Sequence, residues 1–258
     1  MRIKLKLAIL VFIIIAVVWG FAPLGSAASF DPSHQLYDQV VKRFVKDGLV
    51  DYPALKADSK DLDLYLDQLA SVSEADFKKW SREEQLVYLI NLYNAQTLHL
   101  IIDHYPVKSI KDIGNVLKGP WDQPVVRLFG NVTTLNTVEH KIIRKNYGEP
   151  RTHFVLVCAA LGCPPLREEA YDPKRLEQQL EDQGRKFLAT QRKNSIDLKD
   201  NVVYLSPIFK WFEVDFTKKS GSALAFVEHY FPSHPADLLK GRYQIKYTNY
   251  DWSLNVKR

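Results

Sequence analysis

The sequence predicts an α+β fold: a mainly helical single domain with a central buried helix and a small antiparallel sheet of hairpins. Three observations carry this. Residues 86–102 are apolar nearly all round and form the interior of one long helical pattern, which marks a helix inside the core. Shorter amphipathic helical patterns flank it at 34–46, 61–70 and 172–189. The strand-like runs are short and paired around turn residues, at 125–135 and at 196–205, so they read as hairpins.

Each element follows from local chemistry. Leu36, Val40, Val41 and Phe44 share a face of the first helix, and Gly48 ends it before an extended stretch at 49–53. Leu62, Tyr65, Leu66 and Leu69 make the second helix. Ser81 with Glu84 three residues on forms a capping box that starts the central helix, and Pro106 stops it. Gly130-Asn131 supplies the turn of the first hairpin, and Asn136 with Glu139 caps a short helix after it. Residues 152–158 read as a buried strand. Asp172-Pro173 opens the next helix. Lys199-Asp200-Asn201 turns the second hairpin, and Ser206 opens a short helix with an aromatic face. Residues 222–231 are helical, and 243–247 form the last strand.

The first 28 residues carry the compartment signal. Arg2, Lys4 and Lys6 precede an apolar run at 7–21, followed by Pro23, Gly25 and small residues at 26–28. That order is a secretory signal peptide, with an uncleaved anchor as the alternative. A secreted, periplasmic or otherwise extracytoplasmic protein is expected, with residues 29–258 as one domain and membrane contact only through the N-terminal segment. Those three cations belong to the 35 in the chain, so the rest balances its 30 acidic residues to about +2. No basic run appears, which argues against nucleic acid as a partner. A small molecule or a peptide is the expected partner.

The chain has two cysteines, Cys158 and Cys163, and both lie in RTHFVLVCAALGCPPLR. Any thiol chemistry passes through them. In the central helix, Asn91 and Asn94 stand in LINLYNAQTLHL, where an unpaired buried amide costs about 1–3 kcal/mol. They therefore hold something: a neighbouring loop backbone, or a site. No phosphate loop, HExxH or GxSxG element occurs. Trp121, Trp211 and Trp252 read first as packing, with an aromatic groove as the alternative.

Several segments together resemble one family. LINLYNAQTLHLIIDHYP, TVEHKIIR, RTHFVLVCAALGCPPLREEAY, LSPIFKWFEVDF and YDWSLN are similar to the family called domain of unknown function 547, over roughly residues 50–255. The resemblance implies secreted bacterial relatives and C-terminal modules of plant and animal proteins. It nominates Asn91, Asn94, Glu139, His140, His153, Cys158 and Cys163 without assigning them chemistry. Tyr88 departs mildly from the family pattern while keeping the aromatic bulk.

Geometry narrows the pairings. On a regular strand His153 and Cys158 face opposite sides and lie about 16 Å apart. The better dyads are a cysteine with His140, or Cys163 with His153. Glu139 adjoins His140 in sequence, but neighbours on a helix diverge by about 100°, so it is not thereby the orienting acid. Gly162 is expected at positive φ, with Pro164 and Pro165 stiffening the loop exit. Cys-x4-Cys with scattered histidines is a weak metal signature, and no cofactor or resident metal is expected.

The leading expectation is a cysteine-dependent hydrolase or acyl-transferase-like enzyme with a histidine base. A non-enzymatic binding module, whose Cys/His/Asn cluster is structural, is the alternative. A redox role for a Cys158–Cys163 bond is the third.

Overall fold

The computed structural model describes residues 29–231 and 243–257. The N-terminal signal segment expected at 1–28 lies outside them. Among the described residues, no helix is long and apolar enough to cross a membrane.

The fold is helical with small sheets. Helix α1 (Gln35–Phe44) leads into a two-stranded hairpin, β1 (Val45–Lys46) and β2 (Leu49–Val50). Helices α2 (Tyr52–Ala57), α3 (Lys60–Ala70) and α4 (Glu74–Phe77) follow. Helix α5 (Arg82–His104) is the central one. The Ser81 hydroxyl accepts from the Glu84 amide and the Glu84 carboxylate accepts from the Ser81 amide, so the expected capping box is formed. From Leu86 to Ile102 every side chain but His99 is buried. Burial on all faces leaves little amphipathic pattern, and the helix is held by packing rather than by a single stripe.

Strands β3 (Val126–Leu128) and β4 (Asn131–Thr133) form the first predicted hairpin. The turn sits one residue earlier than expected. Leu128 pairs with Asn131, and Phe129 and Gly130 both take positive φ. Two consecutive left-handed residues match the twist of a two-residue hairpin turn, at the cost of some strain on Phe129. The next segment, Thr137–Ile143, winds as a π-helix and continues into α6 (Arg144–Tyr147). Asn136 does not cap it; the Thr134 hydroxyl accepts from the Thr137 amide instead.

The predicted strand at 152–158 is absent. Pro150–Phe154 is a 3-10 helix, and an irregular segment runs from there into the cysteine loop. Its backbone polar groups are paired by side chains of α5. Asn94 donates to the Val155 carbonyl at 2.9 Å and accepts from the Val157 amide at 3.0 Å. Asn91 treats Tyr171 in the same way, at 2.9 and 3.0 Å. Each amide thus presents a donor and an acceptor to a chain that has no strand partner.

Helix α7 (Leu176–Leu188) begins after a turn at Asp172-Pro173, so Asp172 lies ahead of the helix and accepts from the Lys174 amide. Strands β5 (Ser195–Asp197) and β6 (Val202–Leu205) make the second predicted hairpin. The aromatic stretch splits into α8 (Ile208–Trp211) and α9 (Glu213–Ser220), followed by α10 (Ala223–Glu228). Strand β7 (Gln244–Tyr247) joins β6 in parallel, giving one mixed three-stranded sheet beside two antiparallel hairpins. Phe154, Phe187, Phe209 and Phe216 pack ring on ring beneath the site.

The C-terminal residues then lace the fold together. Leu161 and Gly162 donate to the Ser253 and Asp251 carbonyls, each at 2.8 Å, and Asn255 donates to Ala159 at 3.0 Å. The Asn255 side chain accepts from the Tyr52 hydroxyl and donates to the Gly48 carbonyl. This lacing clamps the cysteine loop.

Candidate functional site

A cavity of about 240 Å³ opens where the cysteine loop, the π-helix, α8 and the C-terminal segment meet. Of the seven residues singled out in the sequence, five line it: Cys158, Cys163, His153, His140 and Glu139. Asn91 and Asn94 do not line it. They are fully buried and spent on loop backbone, so they act by holding the segments that carry His153 and the cysteines. That is the plainer of the two expectations for them.

The loop geometry differs from expectation at Gly162, which does not take positive φ; Ala159 does, at 56°. Gly162 is needed for room. A Cβ there would lie 2.9 Å from the Asp251 amide nitrogen and 2.9 Å from Tyr250. The close approach brings Tyr250 over the sulfurs, where its hydroxyl is 2.9 Å from Cys158 Sγ.

Both cysteines are free thiols. The Cys158 thiol lies 2.8 Å from Cys163 Sγ, and the Cys158 amide donates to the same sulfur at 2.9 Å. Burial opposes ionisation of Cys163, but the hydrogen bonds from the Cys158 thiol and amide and from Tyr250, with the Lys193 ammonium nearby, bring it below the ordinary thiol value. Cys158 moves the other way. Its bond to Cys163, its burial and the neighbouring charge push it well up. Of the pair, Cys163 is therefore the thiol that ionises first, while Cys158 keeps its proton. Lys193 also donates to the Cys163 carbonyl, and burial lowers its own ammonium pKa.

The histidines are held apart from the sulfurs. Among the described residues, neither makes a hydrogen bond to a cysteine. His153 Nε2 donates to Asp215 at 2.8 Å, and its ring stacks on Phe212 at 3.9 Å. Hydrogen bonding from His153 holds the Asp215 carboxyl well below its usual range, against some burial, and Arg144 adds to it from 2.6 Å. Nδ1 is the remaining ring nitrogen of His153. His140 Nδ1 accepts from Arg144 at 2.9 Å, because a guanidinium has only donors. Glu139 is not the orienting acid of His140. It accepts from the Tyr93 hydroxyl at 2.9 Å.

With no strand between them, His153 and Cys158 are not set on opposite faces. Both residues line one cavity because the chain turns between them.

The residues missed in the sequence are Asp215, Tyr250, Tyr93 and Lys193, whereas Trp121, Trp211 and Trp252, named there with an aromatic groove as the second reading, line the cavity. Asp215 and Tyr250 stand in LSPIFKWFEVDF and YDWSLN, so the resemblance pointed at their segments. Their distance from the cysteine loop in sequence hid their place beside it.

Among the described residues, no group of three or more His, Cys, Asp and Glu side chains is arranged to hold a metal ion. The arrangement is that of a thiol pair facing an acid-oriented imidazole across a small, largely apolar chamber.

The sequence model of a family described as "Protein of unknown function, DUF547" matches residues 77–188. That segment belongs to the family. The matched segment contains the central helix, the π-helix and the cysteine loop, hence all seven nominated residues. Asp215, Tyr250 and the C-terminal lacing lie beyond it. No curated protein and no solved structure matched the chain.

Proposed function

We propose that this protein is a cysteine-dependent enzyme of the hydrolase or acyl-transferase type, acting on a small molecule or a short peptide end. The observation that carries the reading is a buried thiol with a depressed pKa in one cavity with an Asp-oriented histidine. Perturbed titratable groups gathered in a concave site are a general sign of function.

In this reading the Cys163 thiolate attacks a carbonyl carbon. A carbon–sulfur bond forms, the bond to the leaving group breaks, and the leaving group departs with a proton from the Cys158 thiol. Water, or an acceptor alcohol or amine, then adds to the acyl-sulfur carbon. His153 Nδ1 takes its proton, the Cys163 thiolate is released, and the proton passes from His153 back to the Cys158 sulfur, which restores the starting pair. Asp215 fixes the ring so that Nδ1 faces the task. Asn94 positions the loop and does not touch substrate. The N-terminal pattern supports secretion as the route by which the enzyme meets its substrate.

A non-enzymatic binding module is the second reading. It is favoured by the absence of a histidine–sulfur hydrogen bond among the described residues.

The deciding experiment is turnover of a panel of small esters, thioesters and amides by the reduced protein. Cys163→Ala, His153→Ala and Asp215→Asn are run beside wild type. The enzyme reading predicts turnover that Cys163→Ala abolishes and the other two reduce by roughly a hundredfold. A panel that wild type leaves untouched, or turns over as fast without Cys163, overturns it.

A further inference from the structure

We infer that the ligand of this cavity is a compact organic cation: an ammonium or guanidinium group on a small apolar body. The inference rests on the proposed function only in taking the cavity to be where a substrate sits.

Charge is the first argument. Among the described residues, two carboxylate residues, Asp122 and Glu139, line the cavity, and no lysine or arginine does. Asp122 accepts from Asn136 at 3.0 Å and Glu139 from Tyr93 at 2.9 Å, both neutral donors. Among the described residues, no cationic side chain pairs with either. Glu139, half-buried among apolar walls, and the exposed Asp122 give the cavity a negative potential that favours a cation and repels an anion.

The aromatic wall favours a cation independently of the carboxylates. Trp121, Trp211, Tyr250 and Trp252 form a contiguous aromatic surface. The Tyr250 and Trp252 centroids are 4.5 Å apart, Trp211 and Trp252 are 5.9 Å apart, and Trp121 stands edge-on to Trp252 at 6.0 Å. Ring faces carry the negative part of the aromatic quadrupole, so a pocket walled by them suits ammonium and guanidinium groups. The wall already holds one cation. Lys111, which does not line the cavity, sets its ammonium 3.9 Å from the Trp252 centroid.

A cavity of about 240 Å³ admits a ligand of roughly ten heavy atoms rather than a folded chain. A planar or cationic headgroup would sit against the tryptophans, and its electrophilic end would point toward the sulfurs.

The test is equilibrium binding to the full chain, read by tryptophan fluorescence and calorimetry. The probes are choline, its uncharged isostere 3,3-dimethylbutan-1-ol, and the anion 3,3-dimethylbutyrate. A series from methylammonium and guanidinium to benzyltrimethylammonium extends the cations. At least one cation is expected to bind roughly tenfold or more tightly than its neutral isostere. Glu139→Gln and Asp122→Asn should shrink that ratio while leaving the neutral probe's affinity in place. A ratio near one, a preference for the anion, or no cation saturating below about 10 mM overturns the inference. Binding needs no thiol, so Cys163→Ala protein should bind the cation as wild type does. Cation binding without turnover sinks the enzyme reading alone, and turnover with no cation preference sinks this inference alone.

Discussion

Replacing Asn94 by alanine removes both hydrogen bonds that hold the irregular segment leading to Cys158. The Val155 carbonyl and the Val157 amide would be left buried, since Val155 and Val157 are each at most 2% exposed. An unsatisfied buried group costs about 1–3 kcal/mol, so two of them cost about 2–6 kcal/mol, with about 0.5 kcal/mol returned by alanine's better helix propensity. Urea unfolding should show the loss as a lower midpoint at unchanged slope. The same substitution frees the segment that carries the Cys158 amide, which donates to Cys163 Sγ. The apparent thiol pKa should therefore rise. Asn91→Ala is the control. It should destabilise by a similar amount, because it also strips a donor and an acceptor, but at Tyr171. Its thiol titration should match wild type. An Asn94→Ala protein within about 0.5 kcal/mol of wild type, or an Asn91→Ala protein with the same thiol shift, would refute the reasoning.

Other consequences follow from single contacts. Gly162→Ala sets a methyl against the Asp251 backbone and should destabilise by about 1–3 kcal/mol while slowing thiol alkylation, measured by denaturant melts and mass-spectrometric labelling. Tyr250→Phe removes the hydroxyl that hydrogen-bonds the sulfurs, so the pH profile of alkylation should move up by roughly one unit. His34 is buried, shares a 2.6 Å hydrogen bond with the Tyr65 hydroxyl, and is pushed down to about 4 by burial, against the charges of Asp31 and Asp172. A depressed histidine pKa means the unfolded state binds the proton first. Its contribution is complete above about 6.5 and is lost as pH falls toward about 4, in total about 3 kcal/mol. His34→Gln should flatten stability between those limits, and an unchanged profile would remove His34 as the cause.

How much was legible in the sequence depended on how local the cause was. The capping box at Ser81 and the all-round apolar pattern of the central helix are local, and both appear as read. The stretch FVLV was misread as a strand because a short apolar run is equally suited to a strand or to irregular buried chain. The deciding partner was Asn94, 61 residues away from Val155. Gly162 shows the same limit. Its need is space beside Asp251, which only tertiary contact reveals. The candidate site was half legible. The cysteines and histidines announce themselves by chemistry, whereas Asp215 joins His153 across 62 positions and Tyr250 joins Cys158 across 92.

The most direct test of the central claim is the pH dependence of alkylation of the reduced, folded protein, with the labelled residue located by mass spectrometry. The account predicts labelling at Cys163, or at Cys158 only through Cys163, with an apparent pKa below the ordinary value of about 8.5. Labelling at or above that value, or none until the protein is unfolded, would contradict it.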